Sequence, residues 1–332
     1  YSTSAYNGQV KFHDSFYYLK KQAFATVLGI VLMLFVAGMD YHIWQRLAVF
    51  GYLAAVALSV AVMLFGREIN GSKRWLALGP FSFQPSEFAK VALILFLADL
   101  VTKNVKTIGK MWTLCRIMFW ILPIVGLVGA SNLSTAIIIL GIGVILIFVA
   151  SPKYAQFALM GIAGACFMGI FLALESYRLE RLAIWRNPEK YEKGYQTLQG
   201  LYAIGSGGVF GVGIGNSVQK LGFVPEAQND MIFSIICEEL GLAGAGIIVF
   251  LFLLLIWRFF LIASGSRDLF GALIATGAMA HMMIQVILNI AVVTNTIPNT
   301  GITLPFISYG GTSVMFLLIE MGLVLSVSQV VD

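Results

Sequence analysis

Charge is scarce in this chain: Asp, Glu, Lys and Arg make up 11% of its 332 residues, against 59% hydrophobic ones. A soluble domain carries roughly a quarter of its residues as charges, so a water-exposed globule is excluded and a bilayer is the expected home. Cysteine and histidine are scarce too. The three cysteines, Cys115, Cys166 and Cys237, lie in or beside apolar runs, and His13, His42 and His281 are scattered. Neither a disulfide framework nor a His/Cys metal pattern follows from them. Signatures of other membrane chemistries are absent: no G-x-G-D or G-x-S-G protease motif occurs, and the glycine run Gly205–Gly215 fits G-x-G-x-x-G in no register. No start methionine or signal peptide precedes Tyr1, so the natural chain is expected to extend beyond it. Repeats and low-complexity linkers are missing as well, and one membrane domain over residues 1–332 is expected.

What is present is a succession of apolar runs. After a polar, aromatic opening, Tyr1–Lys21, they cover Gln22–Met39, Leu47–Gly66, a third ending at Val101, Ile117–Ala130, Leu133–Ala150, Ala155–Leu174, Met231–Trp257, Leu269–Thr294 and Ile302–Val331. Runs of this length cross a bilayer as helices. They predict an all-α polytopic membrane protein with nine spans. A polar connection, Arg67–Lys90, precedes the third span, and a long loop, 175–230, precedes the span that starts near residue 231. By parity, residues 1–21, 67–84, 175–230 and 295–301 face one side. The short loops on the other side carry Arg46, Lys103, Lys106, Lys110, Arg116, Lys153, Arg258 and Arg267, against Lys11, Lys20, Lys21, Arg67, Lys73 and Arg74 in the short segments of the first, a modest bias that favours the other side as cytoplasmic. The long loop is then extracytoplasmic. The net charge of +5 reads as loop sidedness and contact with acidic head groups, and no nucleic-acid partner is expected.

Chemistry concentrates on the outward side. Phe223–Gly241 sets four acids, Glu226, Asp230, Glu238 and Glu239, at the start of an apolar run. An ionisable group at a membrane boundary is a functional candidate, although an acid such as Asp230 also caps a helix by accepting from free N–H groups. Glu87 and Lys90 lie three apart on one helix face, as an internal ion pair or as site residues. The loop offers Arg178, Arg181, Arg186, Lys190, Lys193 and Lys220 against Glu180, Glu189 and Glu192. Arginine forks suit a pyrophosphate, whereas Lys190 and Lys193 suit a solvated face. The glycine run is expected to pack as a re-entrant or interfacial segment. Asn295–Ser313 reads as a broken helix lining a cavity, with a plain kink as the alternative.

Four segments carry a resemblance: GSKRWLALGPFSFQPSEFAK (Gly71–Lys90), YQTLQGLYAIGSGGVFGVGIG (Tyr195–Gly215), QKLGFVPEAQNDMIFSIICEELG (Gln219–Gly241) and TGITLPFISYGGTS (Thr300–Ser313). Together and in order they resemble the SEDS family (FtsW, RodA, SpoVE), polytopic glycosyltransferases that polymerise lipid II at the outer face of the bacterial cytoplasmic membrane. The opening residues look more like the FtsW/SpoVE branch. The resemblance implies ten helices, the first of them lying before Tyr1. It places the family's essential aspartate, in P-E-x-x-[TN]-D-x-I-F, on Asp230, and the glutamate and lysine of its Q-P-S-E helix on Glu87 and Lys90. Two departures are visible: Asn132 stands where an acid is usual, and Asn229 where many members have threonine.

The expected catalytic residue is therefore Asp230, as base. Expected substrate-binding residues are Glu87, Lys90, Arg74, Arg178 and Arg186, with Gln199, Lys220, Glu226, Ser308 and Thr312 from the signature segments. No cofactor is certain; a divalent cation, magnesium or manganese, stays open because no ligand cluster specifies one. Implied partners are lipid II, a class B penicillin-binding protein transpeptidase, divisome-type proteins and the membrane. A lipid II flippase or transporter is the alternative, since broken helices around a polar cavity also suit transport. A non-catalytic scaffold is a third reading. Division, sporulation and elongation are not separable from these residues.

Overall fold

The computed structural model describes residues 1–69, 72–78, 81–158, 161 and 182–330. Its described part is mainly helical: α1 (Ala5–Phe12), α2 (Tyr17–Ala37), α3 (His42–Phe65), α4 (Pro85–Asn104), α5 (Met111–Ser131), α6 (Leu133–Ala150), α7 (Tyr195–Gly207), α8 (Ile232–Gly265), α9 (Leu269–Val293) and α10 (Gly311–Ser328). Seven of these, α2, α3, α5, α6, α8, α9 and α10, are long and apolar enough to cross a membrane. Eight of the nine expected apolar runs thus contain a helix, counting α4, although in Ile302–Val331 it starts only at Gly311. The other, Ala155–Leu174, falls largely outside the described residues, as does Arg178.

The chain divides into two compact units. The first holds Tyr1–Phe24, Phe157–Leu254 and Gln285–Gly310. Among its described residues the long loop is built rather than open: two 3₁₀ turns, Pro188–Lys190 and Glu192–Gly194, lead into the 13 residues of α7. The glycine run then lies against an interruption of α8 at Gly241, where φ is 67°. Val212 N and Gly213 N donate to the carbonyls of Glu238 and Glu239 at 2.9 and 3.0 Å. Leu242 N and Ala243 N donate to those of Gly208 and Val209, both at 3.0 Å. Each stretch supplies the partners that the broken helix turn lacks, as buried backbone groups require. The approach leaves no room for a Cβ at Gly211, which would meet the Glu239 carbonyl, or at Gly241, which would meet that of Val209.

The second unit holds Ala25–Gln156, Leu255–Ile284 and Gly311–Asp332. Its α4 starts with Pro85 at the first helical position and Glu87 in the first turn, both favourable there. Nearly every residue of α4 is buried, which suits its alanine- and leucine-rich sequence. Asn132, the position where an acid was expected, caps α6 by accepting from Thr135 N at 3.3 Å. The connection before α4 holds a feature the apolar pattern did not announce. It is a three-stranded antiparallel sheet, β1 (Arg67–Ile69), β2 (Ser72–Leu78) and β3 (Phe81–Phe83), in that order. Arg67 pairs with Trp75, and Leu76 with Phe83.

Candidate active site

Asp230 ends a series of turns just ahead of α8 and is 8% exposed. Its Oδ2 accepts one long hydrogen bond, from Gln196 Nε2 on α7 at 3.4 Å, and its Oδ1 is buried without a partner. Burial pushes the Asp230 carboxyl up to about 7 and the nearby Glu226 carboxylate adds to the rise, while the backbone N–H groups of Asp230 and Met231 and the Gln196 side chain offset part of it. A carboxylate with an unfilled acceptor and a pKa near neutrality is poised to take a proton from a hydroxyl.

The backbone under Asp230 is held carbonyl by carbonyl. Gln228 O accepts from Tyr309 N at 2.8 Å, Asn229 O from Ser308 Oγ at 2.6 Å, and Asp230 O from Asn289 Nδ2 at 2.8 Å. The first two donors lie on the irregular segment that the sequence marks as a broken helix. Gly301 of the same segment comes close as well, since a Cβ there would stand 3.9 Å from Asp230 Oδ2. The first unit therefore joins three of the signature segments around one carboxylate. Ser308, expected at the substrate, has its hydroxyl engaged twice, for it also accepts from Leu304 N at 2.7 Å. Glu226, at φ 53°, accepts from Asn229 Nδ2.

Lys220 is buried and donates to Glu239 Oε1 and Ser2 Oγ. The hydrogen bond to Asp230 comes from Gln196, not from Gln199 one turn on. Arg186 is exposed. Gln196 and Asn289 were not singled out from the sequence. A carboxamide within an apolar run, one turn after Gln285, was the signal for Asn289, and Gln196 had only its place in YQTLQG.

In the second unit, Lys90 Nζ lies 3.0 Å from Glu87 Oε1 with the side chains 2% and 8% exposed. His281 Nδ1 lies 2.7 Å from Glu320 Oε2, also buried. Arg74 Nε donates to the Ser131 carbonyl at 3.1 Å. Arg74 lines a small cavity with Ser59, Ser86, Ser131 and Asn132. Thr312 Oγ1 donates to the Ser82 carbonyl at 2.9 Å. Among the described residues, no group of three His, Cys, Asp or Glu side chains could hold a metal ion.

Comparison with known proteins now gives this geometry a context. The cell cycle protein family model of FtsW, RodA and SpoVE matches residues 1–332. Stage V sporulation protein E of Bacillus subtilis (strain 168) is 40% identical over 342 aligned residues, covering 99% of this chain and 92% of that protein. A probable peptidoglycan glycosyltransferase FtsW from Geobacter sp. (strain M18) is 34% identical, with 99% and 91% covered. One solved structure, described as the structural coordination of polymerization and crosslinking by a peptidoglycan synthase complex, matches with a TM-score of 0.83 and 30% identity. The match covers 94% of this chain and 89% of that one. With a family model spanning its whole length and a 40% identical relative, the chain belongs to the FtsW, RodA and SpoVE family of cell cycle proteins.

Proposed function

We propose that this protein is a peptidoglycan glycosyltransferase of the bacterial cytoplasmic membrane. It polymerises lipid II into glycan strands at the outer face, in cell division or sporulation, within one membrane domain. The observation that carries the reading is the buried Asp230 carboxylate with its unpartnered Oδ1. In the reaction, the C4 hydroxyl of an acceptor GlcNAc attacks C1 of a donor MurNAc. The C1–O bond to undecaprenyl pyrophosphate breaks with inversion, the leaving group keeps the bonding pair, and the hydroxyl proton passes to Asp230. General-base help of this kind is worth about 10²–10⁴-fold. Negative charge develops on the departing pyrophosphate, and an arginine of the long loop such as Arg186 would meet it.

The names of the relatives support the activity, and the likeness to a complex that polymerises and crosslinks supports a class B penicillin-binding protein as partner. Divisome-type proteins follow from the same reading. The test is Asp230→Asn in purified protein given labelled lipid II. Asparagine caps a helix about as well as aspartate but takes up no proton. The variant is expected to fold and bind lipid II yet make no polymer. Near-normal polymerisation at matched protein levels would end the case for Asp230 as base.

A further inference from the structure

Asn289 lies in α9 within the otherwise apolar stretch Val286–Val293, and none of its surface is exposed. A carboxamide buried in such a place is costly unless its polar groups find partners. Its NH₂ group has two hydrogens to give. Both are engaged: Nδ2 donates to the Asp230 carbonyl at 2.8 Å and to the Ile302 carbonyl at 2.7 Å. Its Oδ1 is buried without a partner.

The two carbonyls belong to separate irregular segments, 59 and 13 residues from Asn289 along the chain. Asp230 precedes α8, and Ile302 lies between α9 and α10, so neither carbonyl has a helix ladder to fill it. Of the three donors under residues 228–230, Tyr309 and Ser308 belong to the irregular segment itself. Only Asn289 stands on a regular helix, and its bond goes to the residue that bears the carboxylate. Groups fixed by rigid elements hold a reacting geometry better than groups fixed by loops.

We infer that Asn289 is a positioning residue for glycosyl transfer, its carboxamide clamping the Asp230 backbone to Ile302 so that the carboxylate keeps one orientation toward the acceptor hydroxyl. The inference rests on the reading of Asp230 as the base. A residue that merely fills space needs only its shape, whereas a clamp needs its two N–H donors.

Asn289→Leu keeps the shape and removes both donors. Asn289→Gln keeps both on an arm one methylene longer. In the reconstituted full chain with labelled lipid II, Asn289→Leu is expected to lose about 10²-fold in kcat while KM stays within about twofold, as for a misplaced catalytic group. Asn289→Gln should fall between it and the wild type. Wild-type kcat in Asn289→Leu, a raised KM at unchanged kcat, or equal losses in the two variants overturns the inference. If Asn289→Leu fails to fold, Asn289→Gln decides: a lower kcat at unchanged KM supports the clamp, and wild-type kcat removes it. Asp230→Asn is assayed in parallel. Should it polymerise, the base reading falls and the clamp with it; should it be silent while Asn289→Leu is fully active, the clamp alone falls.

Discussion

Lys220 Nζ lies 2.6 Å from Glu239 Oε1, with the two side chains 7% and 10% exposed. Serine 2 completes the contact, its hydroxyl accepting from Lys220 at 2.7 Å and donating to Glu239 at 3.2 Å. The pair ties the end of the long loop to the first turns of α8. Removing one partner of a buried pair leaves an uncompensated charge, which costs about 3–5 kcal/mol, whereas replacing both with apolar groups is often nearly neutral. Lys220→Met should therefore lower the thermal unfolding temperature, and Lys220→Met with Glu239→Met should restore most of it. A raised KM for lipid II with unchanged stability would instead return Lys220 to the substrate.

The pH dependence follows from Asp230. Its carboxyl stands at about 7 rather than the usual 3.8, chiefly through burial, so the ionised base is the minor form below neutrality. Polymerisation should rise about tenfold per pH unit up to about 7 and level off above it. The stability linkage has the opposite sign. Between 3.8 and about 7 the folded state holds a proton that the unfolded state has released, so stability from this group falls as pH rises. A flat rate from pH 5 to 9 would contradict the assignment.

Glu87 and Lys90 offer a second double-mutant test. Their buried contact at 3.0 Å predicts that Glu87→Gln or Lys90→Met alone destabilises more than the two together. Additive losses in unfolding temperature would mean that the pair is not coupled. If the two residues also serve the substrate, the double variant will be folded and inactive.

Sidedness is open to chemical labelling. Tyr191 and Lys106 are both exposed, so cysteines there test the topology without strain. An impermeant thiol reagent applied to intact cells should modify Tyr191→Cys and spare Lys106→Cys. The reverse pattern would turn the proposed site toward the cytoplasm.

Much of the architecture was legible because apolar runs long enough to span a bilayer have few other uses; the described runs are helical, except that Ile302–Val331 becomes so only at Gly311. The sheet before α4 was not read, since strands of three to seven residues leave little periodicity. α7 passed for loop because glycines punctuate it. Asp230 stood out twice, as an acid at a membrane boundary and through the P-E-x-x-N-D-x-I-F segment. Gln196 and Asn289 had no such spacing to mark them. A carboxamide in a helix acquires meaning only from what it touches, and those contacts lie 34 and 59 residues away along the chain.

The interlock between the glycine run and the break in α8 bears on how this sequence can drift. Gly211 and Gly241 each face backbone rather than a yielding side chain, and both have positive φ. A larger residue at either position has nowhere to go, and no second change elsewhere makes room, because a carbonyl cannot be mutated away. Beside them Phe210 and Ile214 are 85% and 76% exposed and free to exchange among apolar residues. A saturation library should return no side chain at Gly211 or Gly241, nor at Gly207, where a Cβ would meet the Cys237 carbonyl, while Phe210 and Ile214 stay permissive: a hereditary lock written in the residue type that carries no side chain.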